Sequence, residues 1–159
     1  MKREWRLVSV CWFGRLPNHC HLGLEERRDV GFAKVIMFIA RSLECVTKLF
    51  RGHNDKIFCL RWNPYDNDRF VTVGVKHMKF WTKAGGGMTA KQGVFGSVAG
   101  KQGKQNQMCV VFGKTVDVCI TGGGDGSIYI WTQTTLTRRI DAAHTGPLFA
   151  ITAVQDKVC

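Results

Sequence analysis

"GHNDKIFCLRWNPYDNDRFVTVGVKHMKFWT" (residues 52–82) and "CITGGGDGSIYIWT" (residues 119–132) are one module written twice. Displaced by 50 residues, the apolar positions coincide: Cys59 falls on Cys109, Leu60 on Val110, Trp62 on Phe112, Phe70 on Ile120, Met78 on Ile128, Phe80 on Ile130 and Trp81 on Trp131. A third copy opens at "HTGPLFAI" (144–151), which matches "HNDKIFCL" (53–60). A repeat of this length, with Gly-His at its start and Trp at its finish, is the signature of a four-stranded propeller blade. The fold class read from the sequence is therefore all-β: tandem four-stranded blades of an incomplete β-propeller, preceded by an irregular N-terminal arm.

Turn residues place the strands within each copy. "LECVTKLF" (43–50) alternates like an outer strand, and "KIFCLRW" (56–62) is an inner strand stopped by Asn63-Pro64. "RFVTVG" (69–74) and "HMKFWT" (77–82) are middle strands, Ala84–Met88 is a glycine-rich turn, and "KQGVFGS" (91–97) is the expected fourth strand. In the second copy the strands fall at Met108–Phe112, Val116–Thr121, Ser127–Trp131 and Leu136–Ile140, with Gly122–Gly126 as the turn between the middle pair. The expected organisation is an arm over 1–39 and a partial propeller over 40–159. Its blades occupy about 43–97 and 107–141, and a third starts at 144–159. Residues 1–39 show no consistent period, so at most a short helix near Leu22–Asp29 and one strand at Val35–Ile39 are expected there.

Composition bounds the function. The chain has 159 residues, a formal net charge of +11 and seven cysteines. The charge is spread along the chain and suits an acidic partner or a Lys-rich surface. Cys59, Cys109 and Cys119 lie inside apolar strand patterns, where a free thiol acts as a small hydrophobe. Together with an N-terminus that lacks a signal-peptide pattern, this implies a reducing, cytoplasmic compartment. The longest apolar run, Val30–Ala40, carries Lys34 and is too short to span a bilayer, so no membrane partner is expected. "HCH" at 19–21, with Cys11, lacks the paired spacing of a structural zinc site. The glycine runs at 85–87 and 122–124 lack the Lys-Ser/Thr pair of a phosphate loop. No cofactor, metal or enzyme activity is expected. Aromatics interleaved with cations could stack on nucleic acid, but these aromatics repeat as core positions, which disfavours that reading.

The Gly-His, Asp and Trp pieces resemble the WD repeat. In that family a His before the inner strand, a Ser/Thr in the second strand, an Asp in the next turn and the terminal Trp form a buried hydrogen-bonded chain. Carried over, the resemblance assigns Thr121, Asp125 and Trp131 in the second copy, where no His precedes the inner strand. It assigns His53 and Trp81 in the first, where Val71 and Val75 stand at the Thr and Asp slots, and His144 in the third. These roles are structural.

"GHNDKIF", "NPYDNDRFVTVGVKHMKFW", "KQGVFGSVAGK", "GDGSIYIW" and "AHTGPLFAI" resemble, more narrowly, the echinoderm microtubule-associated protein-like family. The resemblance runs from about Ala40 to Val154 and is nearest to the longer, multi-propeller members; the trimerising coiled coil and hydrophobic motif of that family have no counterpart in these residues. It implies a non-enzymatic, cytoskeletal scaffold that binds microtubules or tubulin. The candidate basic contact surface is Arg51, Lys56, Arg61, Arg69, Lys76, Lys79, Lys83 and Lys91. The alternative is a generic WD-repeat protein-interaction module without a cytoskeletal role. Self-association through open blade faces is expected of either.

Overall fold

The computed structural model describes residues 5–11, 19–27, 33–41, 44–53, 55–84, 87–100, 104–154 and 157–158, with side chains over 55–84, 87–100 and 104–153. It divides into two units, Met1–Ile57 and Phe58–Cys159.

The first unit holds a four-stranded antiparallel meander: β1 (Trp5–Cys11), β2 (His19–Arg27), β3 (Ala33–Arg41) and β4 (Glu44–His53), in the order β1-β2-β3-β4. This differs from the expected irregular arm over 1–39. Backbone pairing supplies each strand's hydrogen bonds whatever its side-chain pattern, and β3, "AKVIMFIAR", is a near-continuous apolar run in which alternation is invisible. β4 pairs with β3 along its length. The outer strand read at 43–50 therefore closes the preceding sheet and does not open the blade that follows it.

That following blade, blade 1, is β5 (Ile57–Asn63), β6 (Asp66–Gly74), β7 (His77–Ala84) and β8 (Gly87–Gln92), in that order. Blade 2 is β9 (Gln107–Phe112), β10 (Val118–Gly123), β11 (Ile128–Thr132) and β12 (Thr135–Ile140). The fourth strand of blade 1 lies earlier than the expected 91–97. From Gly93 the chain leaves the sheet and crosses to blade 2, where Val94 forms a parallel bridge to Thr135 before a single 3-10 turn at Ser97–Ala99. The expected inner strand of a third blade is not formed either. Residues 144–152 run as an irregular segment, followed by a short pair, β13 (Ala153–Val154) and β14 (Lys157–Val158). A lone inner strand has no sheet to pair with; this segment instead hangs on blade 2, with Leu148 N–H on the Gly123 carbonyl at 3.0 Å and His144 N–H on that of Gly126 at 3.0 Å.

The two blades stack through one core. β6 and β7 pair so that Val71 faces Phe80 and Val73 faces Met78 across one side of blade 1, while Phe70 faces Trp81 across the other. The first side packs on Cys119, Tyr129 and Trp131 of blade 2, which share one side of β10–β11 by their own register. Each blade thus has a Trp side and a plain apolar side, and the Trp side of blade 2 covers the plain side of blade 1. On the Trp side of blade 1, Phe70 stacks on Trp81 at 5.5 Å and meets Trp62 edge-on at 5.0 Å.

Candidate functional site

Two hydrogen-bonded posts hold the blades. In blade 2 the Trp131 indole N–H donates to Thr121 Oγ1 at 2.9 Å, and the Thr121 hydroxyl donates to Gln107 Oε1. The Gln107 amide then donates to the Gln105 carbonyl at 3.2 Å. Thr121, Gln107 and Trp131 are all fully buried. Each polar atom taken from water finds a partner, which removes a cost of about 1–3 kcal/mol per unpaired group. Gln107 fills the space for which the sequence offered no histidine. It falls on Ile57 under the 50-residue displacement, so only its polarity could have betrayed it.

In blade 1 the Trp81 indole N–H donates to Thr72 Oγ1, also at 2.9 Å. The sequence comparison put Val71 at this slot, and the structure corrects it. Trp81 lies opposite Phe70 and Trp131 lies opposite Cys119, so Thr72 and Thr121 both stand two residues after the partner of the Trp. The β6–β7 hairpin is one residue shorter than the β10–β11 turn, and a rigid displacement slips at that point. Val75 lies in the short turn, beside Lys76 at φ 51°, and no acid stands there. His53 ends β4, and its side chain is outside the described residues, as is that of Arg51.

Asp125 lies in the turn between β10 and β11 but is not part of the Trp131 post. Its Oδ1 accepts the Ser127 N–H at 3.1 Å; its Oδ2 accepts the Tyr129 hydroxyl at 2.8 Å and Arg139 Nη2 at 3.1 Å. Arg139 also reaches the Ala99 carbonyl at 2.6 Å and Asp141 at 2.6 Å, and stands over the Tyr129 ring at 5.5 Å. Burial alone would raise the Asp125 pKa, but the Tyr129 hydroxyl, the Ser127 donors and the Arg139 charge outweigh it and hold the carboxyl below its ordinary range. Burial, aided by Asp125, pushes the Tyr129 phenol up. This network joins the turn, the outer strand and the 3-10 link; no motif marks Tyr129 or Arg139 as its members. His144 is exposed, and its Nδ1 accepts the Gly146 N–H at 3.1 Å in a local turn.

The described members of the basic set do not form one patch. Lys76 sits in the β6–β7 turn, at the opposite end of blade 1 from Arg69 and Lys83. Arg69 pairs with Asp66 at 3.0 Å and Asp117 at 3.4 Å, and Lys83 with Asp68 at 3.7 Å. Lys79 is half-buried, while Lys56, Arg61 and Lys91 are exposed. Cys119 is buried, and that burial pushes its thiol pKa far up, so it is an inert core group. Among the described residues no group of His, Cys, Asp and Glu is placed to hold a metal ion, and no helix is long and apolar enough to cross a membrane. The side chains of Cys11, His19, Cys20 and His21 lie outside the described residues.

Comparison with known proteins agrees with this architecture. The model of the WD domain, G-beta repeat, matches residues 43–75 and 98–132. Human echinoderm microtubule-associated protein-like 1 is 34% identical over 106 residues, which are 65% of this chain and 12% of that protein. The 77 kDa echinoderm microtubule-associated protein of Lytechinus variegatus is 30% identical over 115 residues, 70% of this chain and 16% of that protein. The chain therefore spans a small part of the length of the curated relatives it matches. Among solved structures, the β-propeller domain of Cps50 (Swd1) from Myceliophteria thermophila superposes with a TM-score of 0.69, over 95% of this chain and 46% of that one. At 14% identity, that match establishes the fold alone. The two blades are therefore WD repeats of a protein-interaction module, and the chain that carries them is similar, over 65–70% of its length, to echinoderm microtubule-associated proteins and their relatives.

Proposed function

We propose that this chain is a non-enzymatic scaffold segment that associates with microtubules or tubulin in the cytoplasm. The observation that carries the reading is the identity, over 106–115 residues, to proteins named as microtubule-associated. The charge is consistent with it: a chain of net charge +11 is drawn to an acidic polymer surface. Because the described cations are spread over both ends of blade 1, and Arg69 and Lys83 are already paired, the attraction is diffuse. Exposed charges are screened over about 8 Å at physiological ionic strength, so binding is weak and falls steeply with salt.

Co-sedimentation of the folded chain with taxol-stabilised microtubules tests this directly. Saturable pelleting is expected at low salt, with loss at physiological salt and reduction when the acidic tails of tubulin are cleaved. RNA as competitor separates a specific contact from general polyanion binding. Absence of pelleting at low salt would leave a WD-repeat interaction module whose partner is another protein.

A further inference from the structure

Between the blades, where β6–β7 of blade 1 meet the β9–β10 and β11–β12 connections of blade 2, lies a cleft of about 460 Å³. Val71 and Phe80 from blade 1 and Phe112 and Val116 from blade 2 give it apolar lining. Two of its lining residues brace it: the Asn63 side-chain amide donates to the Val116 carbonyl at 2.7 Å and ties one blade to the other. Its volume is in the range of small-ligand sites, and its lining is mixed, with Asn63, Thr82, Gln133 and Thr134 beside the apolar side chains.

The rim decides what would enter. Asp117 is the acid at the mouth, and Arg69 answers it at 3.4 Å while also pairing with Asp66. Lys91 is the other charge there; it is exposed and makes no ion pair among the described residues. Lys91 is therefore the charged group lining the cleft that has no ion-pair partner among the described residues. Thr89 and Lys91 both belong to β8, the outer strand of its sheet, whose backbone pairs with β7 on one side. Such an edge offers main-chain donors and acceptors to an extended chain.

We propose that this cleft binds an extended acidic peptide. One bulky apolar side chain enters between Phe80 and Phe112, a neighbouring carboxylate meets Lys91, and the peptide backbone runs along β8. The inference is independent of the microtubule reading: it concerns one cleft and a short ligand, and it holds or fails whether or not the chain pellets with microtubules.

The test uses the full chain and the probe acetyl-Glu-Glu-Phe-Glu-Glu-amide, followed by amide and aromatic NMR shifts. Saturable shifts are expected at Phe80, Phe112 and the β8 amides. The probe with Gly in place of Phe, and the probe with Lys in place of Glu, are each expected to bind more weakly. Lys91→Glu is expected to weaken the acidic probe about fivefold, the size of an exposed ion pair; Lys91→Gln is the milder substitution if the reversal disturbs folding. Thr89→Trp, at an exposed position on the mouth, is expected to block the cleft. Lys76→Glu, at the far end of the blade, is expected to change nothing. Equal weakening by Lys76→Glu would mean diffuse charge attraction and overturn the proposal. Unchanged affinity in the Lys91 variants, equal binding of the Gly probe, or shifts confined to other surfaces would overturn it too.

Discussion

Thr72 and Thr121 do the same work in successive blades, and only one of them was legible in the sequence. The resemblance to the WD repeat assigns Thr121 directly. Thr72 was hidden because its hairpin is one residue shorter, so a fixed displacement landed on Val71, an apolar neighbour that points to the opposite side of β6. Strand pairing counts from the Trp, not from the turn, and that is information the displacement does not carry. The structure makes a sharp distinction testable. Thr72→Val and Thr121→Val each strand a buried indole N–H, and Thr121→Val also strands Gln107; a loss of about 1–3 kcal/mol is expected for each stranded group. Val71→Ala removes only apolar contact and should leave the Trp81 indole proton resonance in place, whereas Thr72→Val should move it. Chemical denaturation with NMR of the indole protons reads both. Asp125 adds a pH dependence. Its folded pKa is depressed, so its contribution is present above the unfolded carboxylate value and is lost as pH falls through the folded one. Stability is expected to decline on acidification below about pH 4, and Asp125→Asn should flatten that part of the profile in urea titrations run at successive pH values.

At the scale of elements, the sequence placed the three inner strands of each blade well and misplaced what joins them. Inner strands carry apolar residues between strong turn signals, so both their existence and their limits show. The connection from blade 1 to blade 2 does not announce itself, because its form is dictated by the neighbour it crosses. Gly93 donates its N–H to the Met78 carbonyl at 2.7 Å, and a Cβ there would sit 3.0 Å from Trp131 Cζ3 and 3.3 Å from that same carbonyl. Two residues on, Phe95 packs edge-on against Trp131 at 4.9 Å. The link is thus a cover laid over the Trp131 ring, and its glycine is the point of closest approach. Gly93→Val is expected to cost about 1–3 kcal/mol by overpacking and to shift the Trp131 signals more than those of Trp81. Gly126 is a harder case: at φ +78° and with the His144 carbonyl where a Cβ would stand, even Gly126→Ala meets backbone on a strained residue. That substitution should detach residues 144–148 from blade 2, which hydrogen exchange at the Leu148 amide would report. The strands β1 to β3 were missed for a different reason: their signal lies in backbone pairing, and their side-chain sequence has no period to read.

The arrangement of the second unit follows from the two-sided blades. The plain apolar side of blade 1 is covered by the Trp side of blade 2, and its Val71, Val73 and Met78 are buried as a result. The corresponding side of blade 2 carries Ile120 and Ile128, paired across β10–β11 with Ile130 and Gly122. There Ile120, Ile128 and Ile130 are only partly buried, Ile140 is 38% exposed, and the exposed Phe149 stands beyond them at 70%. Leu148 lies against Gly122 and covers one end of this side. Among the described residues of the second unit, no further four-stranded sheet covers this side as blade 2 covers its counterpart in blade 1. An apolar sheet face of this kind drives association. The purified chain is therefore expected to self-associate as its concentration rises, with a mass by light scattering above 17.9 kDa. Ile128→Lys with Phe149→Ser should return it to a monomer without unfolding the blades, because both positions lie outside the core between them. Lys91→Glu, on the other blade, should leave the association unchanged. A chain that stays monomeric at high concentration, with the isoleucine methyl signals of a buried face, would mean that another part of the same chain covers blade 2.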